Sequence, residues 1–168
     1  HYQPYELALS SKIVDMVKAH QIDVLHVHYA IPHAYAGYMA KKMLHEEGIE
    51  LPIVTTLHGT DITLVGSHPF YKTAVTFSIN KSDAVTSVSQ SLKDDTQRLF
   101  STNKEITVIP NFIDLEKHKP SVKNCQRDVL AEPHERVITH VSNFRTVKRI
   151  PDVIHIFDAI QKEIPSKL

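Results

Sequence analysis

The chain has 168 residues, 42% hydrophobic and 23% charged, a balance that supports a buried core and a length that suits one domain or one domain plus part of another. Lys and Arg number 19, as do Asp and Glu, so no broad positive surface marks a nucleic-acid binder. No apolar run nears the ~20 residues of a membrane span, and the lone Cys125 excludes an internal disulfide, which makes a reducing, cytoplasmic setting the expectation.

The opening His1-Tyr2-Gln3-Pro4 shows neither a start Met nor a signal-peptide pattern, and reads as a chain entered partway. Residues 6–19 place Leu7, Leu9, Ile13, Met16 and Val17 largely on one helical face. A buried strand is predicted over 22–28, a helix over 34–45 with Gly48 as its C-cap, and a second strand over 52–57. A helix over 69–80 comes after a Gly66-Ser67-His68 turn. The third strand spans 83–88, Ser89 caps a helix reaching about residue 100, and the fourth strand spans 106–109 before Pro110-Asn111. Strands alternating with helices predict an α/β fold built of βαβ units, with a parallel sheet covered on both faces.

Beyond Pro110 the pattern changes. Residues 111–133 are polar and carry two prolines and Cys125; they read as an interdomain connection with room for a short helix. Next come a strand over 137–142, a basic loop over 143–149 and a helix over 151–163. The expected organisation is therefore 1–110, part of one Rossmann-like domain; 111–133, a linker; and 134–168, the truncated start of a second. One strand cannot form a sheet, so the chain reads as a fragment.

Ligands of open parallel sheets bind beyond the carboxyl ends of the strands, and the chemically informative residues gather there. His26-Val27-His28 puts two imidazoles on one strand face. With His33 or His58 they offer a tetrahedral metal site, against which stands a packed histidine beside one bonded to backbone. His58-Gly59-Thr60-Asp61 offers close backbone approach at the Gly, an imidazole and a hydroxyl pointing to the crevice, and an Asp that caps the next helical segment; an ordinary strand-to-helix turn would look the same. Ser142-Asn143-Phe144-Arg145-Thr146-Val147-Lys148-Arg149 places three cations before a helix, an arrangement suited to a diphosphate or to a solvated basic loop.

These clusters, in this order, resemble the retaining GT-B glycosyltransferases that use nucleotide sugars. Pro110-Asn111-Phe112-Ile113-Asp114 stands where that group has a Pro-Asn-Gly-Val-Asp-like entry to its C-terminal domain. Within the group, three runs look most like the malate N-acetylglucosaminyltransferases of bacillithiol biosynthesis. They are His26-Val27-His28-Tyr29-Ala30-Ile31-Pro32-His33-Ala34, Val54-Thr55-Thr56-Leu57-His58-Gly59-Thr60-Asp61-Ile62-Thr63, and His140-Val141-Ser142-Asn143-Phe144-Arg145-Thr146-Val147-Lys148-Arg149. Most of the group carries Arg five residues before the loop Lys; here that position is Asn143, with Arg145 two further on, a pattern the bacillithiol branch shares.

The resemblance implies transfer of N-acetylglucosamine from UDP-N-acetylglucosamine to L-malate with retention of configuration, using no metal and no cofactor. It assigns Lys148 and Arg145 to the diphosphate and His58 to the donor sugar or its phosphate, as the catalytic set. Tyr29, Thr60 and Asn143 would line the acceptor pocket, and Ser89 stands with them as a substrate-binding residue. The group's Gly-rich loop would precede His1 and its sugar-gripping Glu segment would come after Leu168, so this stretch alone is expected to turn over negligibly. The resemblance leaves room for a homo-oligomer of the full-length enzyme. Three other readings stand beside it: a retaining transferase with another acceptor, a hydrolase built on a histidine-bound metal, and a non-catalytic nucleotide-sugar-binding module.

Overall fold

The computed structural model describes residues 4–119 and 126–168; the opening His1-Tyr2-Gln3 and the lone Cys125 lie outside them. The chain divides into two compact units, His1–Phe112 and Ile113–Leu168.

In the first unit, helix α1 (Tyr5–His20) leads into strand β1 (Leu25–His28), and α2 (Tyr35–His45) into β2 (Ile53–Leu57). Helix α3 (Pro69–Lys81) then precedes β3 (Ala84–Ser87), and α4 (Gln90–Leu99) precedes β4 (Ile106–Val108). The strands form one parallel sheet in the order β1-β2-β3-β4. Local chemistry sets the boundaries. Gln21 turns left-handed at φ 52° after α1, and the Ile22 N–H closes back onto the Val17 carbonyl. That closure takes residues 22–24 out of the predicted strand, which begins at Leu25 instead of residue 22. Pro69 suits the first turn of α3, whose Phe70 N–H donates to the His68 imidazole. The Ser89 hydroxyl caps α4 by accepting from the Leu92 N–H at 3.1 Å, as the sequence predicts.

Register places Leu25, Val27, Ile53, Thr55, Leu57, Val85, Ser87 and Ile106 on one face of the sheet. The helices cover that face. Leu25 packs with Val17 of α1 and Leu44 of α2, while Leu57, Val85 and Ile106 pack with Val75 and Ile79 of α3 and with Leu92 of α4. Full burial of each large aliphatic here contributes roughly 1.5–3 kcal/mol. The other face carries His26, His28, Val54, Thr56, Ala84, Thr86 and Thr107, and its histidines, Ala84 and Thr107 are exposed. Among the described residues the helices lie on the first of these faces. The reason is topological. Strands laid down successively in one direction, with crossovers of one hand, put every crossover helix on the same side.

The second unit has α5 (Arg127–Leu130), β5 (Arg136–Val137), a tight turn at Thr146–Lys148, α6 (Ile150–Glu163) and β6 (Ser166–Lys167). β5 and β6 pair in parallel, Arg136 opposite Ser166 and Val137 opposite Lys167. Two expectations are corrected here. The predicted strand over 137–142 shrinks to Arg136–Val137, because the ladder ends once the Ile138 N–H has bonded the Lys167 carbonyl. The unit also does not stop at one strand and one helix, since Ser166–Lys167 completes a short βαβ element.

Candidate active site

In the first unit, the carboxyl ends of β1 and β2 bring together His26, His28, Tyr29, His33 and the segment His58-Gly59-Thr60-Asp61. Parallel pairing sets His28 opposite Thr56, so His58, two residues further along, projects from the same face beside it. The His28 Nδ1 and His58 Nε2 atoms lie 2.7 Å apart. The His26 and His28 rings stack with centroids 4.7 Å apart, and the Tyr29 ring lies 5.1 Å from that of His58. Behind them a polar ladder crosses the open face: His26 Nε2 meets Thr56 Oγ1 at 2.8 Å, and Thr56 Oγ1 meets Thr86 Oγ1 at 2.7 Å. Both strand histidines therefore share one face and bond side chains, which corrects the expectation of one packed inside and one on backbone. His33 turns away, its Nδ1 on the His28 carbonyl at 2.6 Å. Among the described residues no three His, Cys, Asp or Glu side chains are grouped to hold a metal ion.

Asp61 has a different job from the one read in the sequence. It is buried, at 3% exposure, and it caps backwards rather than forwards. Its carboxylate accepts from the Ala30 N–H at 2.8 Å, the Gly59 N–H at 3.0 Å and the His58 N–H at 3.3 Å. One buried side chain thus pins the loop after β1 to the loop after β2. Gly59 sits at φ 117°, where a side chain would be strained. Gly66 is fixed by space instead, since a Cβ there would fall 1.9 Å from the Asp61 carbonyl oxygen.

Burial lowers the His58 pKa, the neighbouring His28 and His26 lower it further, and Asp61 opposes them. The neutral ring is favoured as a result. Thr60 is exposed beside it, and Tyr29 holds φ 77°. A groove of about 260 Å³ opens along the uncovered face, lined by His26, His28, Thr56, His58, Thr86 and Asn111 among others. Ser89 is exposed, with its hydroxyl engaged by the α4 cap.

In the second unit, Asn143, Arg145 and Lys148 are all exposed on the loop and turn that enter α6. Lys148 is held by its N–H on the Arg145 carbonyl at 2.8 Å. Arg149 is bound to Asp152, whereas Arg145 and Lys148 make no ion pair among the described residues. Phe144, Arg145, Thr146 and Ile150 line a groove of about 450 Å³. Cations beside a helix N-terminus make a suitable cradle for an anion.

Two features escaped sequence reasoning. The first is the direct bond between the His28 and His58 rings, which the sequence grouped as possible ligands of one metal and which emerges once β1 and β2 are paired in register. The second is the Thr56–Thr86 contact, which likewise depends on the register, here of β2 on β3.

Three comparisons bear on this geometry. Residues 1–117 match the model of Glycosyltransferase Family 4. The chain is 44% identical, over 168 residues, to an N-acetyl-alpha-D-glucosaminyl L-malate synthase of Bacillus anthracis, covering 99% of this chain and 43% of that protein. A sucrose-phosphate synthase from Thermosynechococcus elongatus superposes with a TM-score of 0.66 at 16% identity, again over 99% of this chain and 43% of its own. The chain thus spans less than half the length of either relative, and the second likeness supports the GT-B fold alone. With more than half of its residues under the family model, the chain belongs to Glycosyltransferase Family 4.

Proposed function

We propose that the chain is part of a transferase that moves N-acetylglucosamine from UDP-N-acetylglucosamine to L-malate with retention of configuration, in the cytoplasmic synthesis of bacillithiol. The observation that carries this reading is the 44% identity to the Bacillus anthracis malate synthase across nearly the whole chain. The resemblance of the His26–Ala34, Val54–Thr63 and His140–Arg149 runs to that branch supports it. Residues 1–110 then belong to the acceptor-side domain, 111–133 to the connection, and 134–168 to the start of the nucleotide-sugar domain.

In this reading Lys148 and Arg145 hold the donor diphosphate. Both present exposed cations, in a loop rigidified by the Arg145–Lys148 backbone bond and running into α6. His58 contacts the donor sugar or its phosphate, and Tyr29, Thr60, Asn143 and Ser89 serve the substrates. The protein's contribution is positioning and charge stabilisation of the departing UDP. With Nε2 engaged by His28, a neutral His58 ring has Nδ1 left to donate to or accept from a sugar hydroxyl, and its lowered pKa favours the neutral form near neutral pH.

The test is an assay of the protein at its natural full length, measuring UDP release from UDP-N-acetylglucosamine with and without L-malate. Malate-dependent release that persists in chelator is the expected result. Release only with another acceptor would overturn the acceptor assignment, and no release with any acceptor would favour a binding module.

A further inference from the structure

We propose that His28 is the positioning partner of His58: its Nδ1 occupies the His58 Nε2, leaves Nδ1 as the ligand-facing nitrogen of His58, and makes the two rings share a single proton. The inference rests on the transferase reading for the use of His58, but the pairing stands on geometry. At 2.7 Å between nitrogens, one N–H fits between the rings and two do not. A neutral pair needs one ring to donate and the other to accept. A first added proton strengthens the contact by charge assistance. A second would set two N–H groups against each other, so the pair titrates as one unit.

The surroundings hold this arrangement. From β1, His26 stacks on His28 at 4.7 Å and is itself anchored on Thr56. From the loop after β1, the His33 Nδ1–H donates to the His28 carbonyl at 2.6 Å and so fixes the end of the strand. Tyr29 lies 5.1 Å from the His58 ring. From the loop after β2, Asp61 fixes the His58 main chain through its N–H and supplies the negative charge that opposes the two strand histidines at His58. Three imidazoles against one buried carboxylate disfavour a second positive charge. This agrees with the downward displacement of the His58 pKa by burial, His28 and His26.

Two substitutions separate positioning from mere packing. In His28→Asn an amide stands near the position of Nδ1 and can still bond His58 without carrying charge. In His28→Phe the ring volume stays but the hydrogen bond is lost. The measurement is long-range proton–nitrogen NMR of histidine-labelled protein at its natural full length, between about pH 5 and 8. In the unsubstituted protein a single N–H is expected between the two rings, with one His58 tautomer held across that range. His28→Asn should keep the His58 tautomer and raise its midpoint, because a like charge is gone. His28→Phe should release the tautomer preference and lower kcat/KM for UDP release about tenfold, the worth of one hydrogen bond at the site, with Asn restoring most of it.

Independent, complete protonation of both rings would overturn the inference. So would an unchanged His58 tautomer in His28→Phe, or equal activity losses in the two variants. Shared protonation without UDP release in any variant would uphold the pairing while sinking the transferase reading.

Discussion

Replacing Asp61 by Asn tests the clamp beneath the candidate site. In the folded chain Oδ2 accepts from Ala30 N–H, and Oδ1 accepts from Gly59 and His58. An amide supplies one acceptor and one donor, so whichever way it turns, an NH2 faces an N–H. If the oxygen serves the loop after β2, the Ala30 N–H is orphaned in a residue with no exposure, at a cost of about 1–3 kcal/mol. The two bonds that remain lose their charge assistance, about 1 kcal/mol more between them. The expected loss is therefore about 2–4 kcal/mol. With a urea slope of about 2 kcal/mol per molar, the midpoint should fall by about 1–2 M in circular-dichroism unfolding. A fall below about 0.3 M at unchanged slope would refute the argument, because it would mean that water already reaches these donors.

Other expectations rest on the same structure. Gly66→Ala should destabilise by more than about 2 kcal/mol, since the new Cβ meets backbone at 1.9 Å. Gly48→Ala, at φ 78° with open space around it, should cost only about 1 kcal/mol; thermal unfolding separates the two. At Asp83 burial raises the carboxyl pKa, but the bonds from Lys41 and from the Ile53 N–H outweigh it and leave a net lowering. Its contribution is thus complete above the ordinary value of 3.8 and lost as pH falls through the lower folded value. Asp83→Asn should accordingly flatten the acid side of the stability profile below about pH 4. Lys148→Ala should weaken UDP binding about tenfold, the scale of one charge-assisted bond to phosphate; calorimetry showing unchanged affinity would remove Lys148 from the diphosphate role.

The first unit was largely legible in the sequence because its elements carry strong local signals. Ser89 caps α4, Pro69 opens α3, and apolar β-branched runs mark each strand. The misreadings arose where a distant partner decides the outcome. Residues 138–142 have the composition of a strand, and among the described residues Ser166 and Lys167 pair beside Arg136 and Val137. Asp61 comes just after a Gly and at the start of a helical turn, the local pattern of a forward cap. Its actual donors include Ala30, thirty-one positions earlier, which no local pattern reveals. The His28–His58 pair is hidden in the same way, since it needs the register of β1 on β2.

The alternation of side chains along the strands explains how the site comes by its chemistry. On the helix-covered side, alternate residues are Leu25, Val27, Ile53, Leu57, Val85 and Ile106, which supply the core. With them stand Thr55 and Ser87, whose buried hydroxyls are bonded to Ser82 and to the Ser89 carbonyl. The intervening positions point to the opposite face, where His26, His28, Ala84 and Thr107 are exposed among the described residues. Imidazoles and hydroxyls can occupy them at little desolvation cost, provided that each is bonded where it is enclosed. Thr56, at 8% exposure the most enclosed of them, shows the condition being met: its hydroxyl lies between His26 and Thr86. His26-Val27-His28 is then one strand obeying two environments at once. Val27 packs against Ala34 and Ile53, while of the histidines on either side of it His26 bonds Thr56 and His28 bonds His58. The alternation that stabilises the sheet is the same alternation that delivers the imidazoles to the carboxyl ends of β1 and β2.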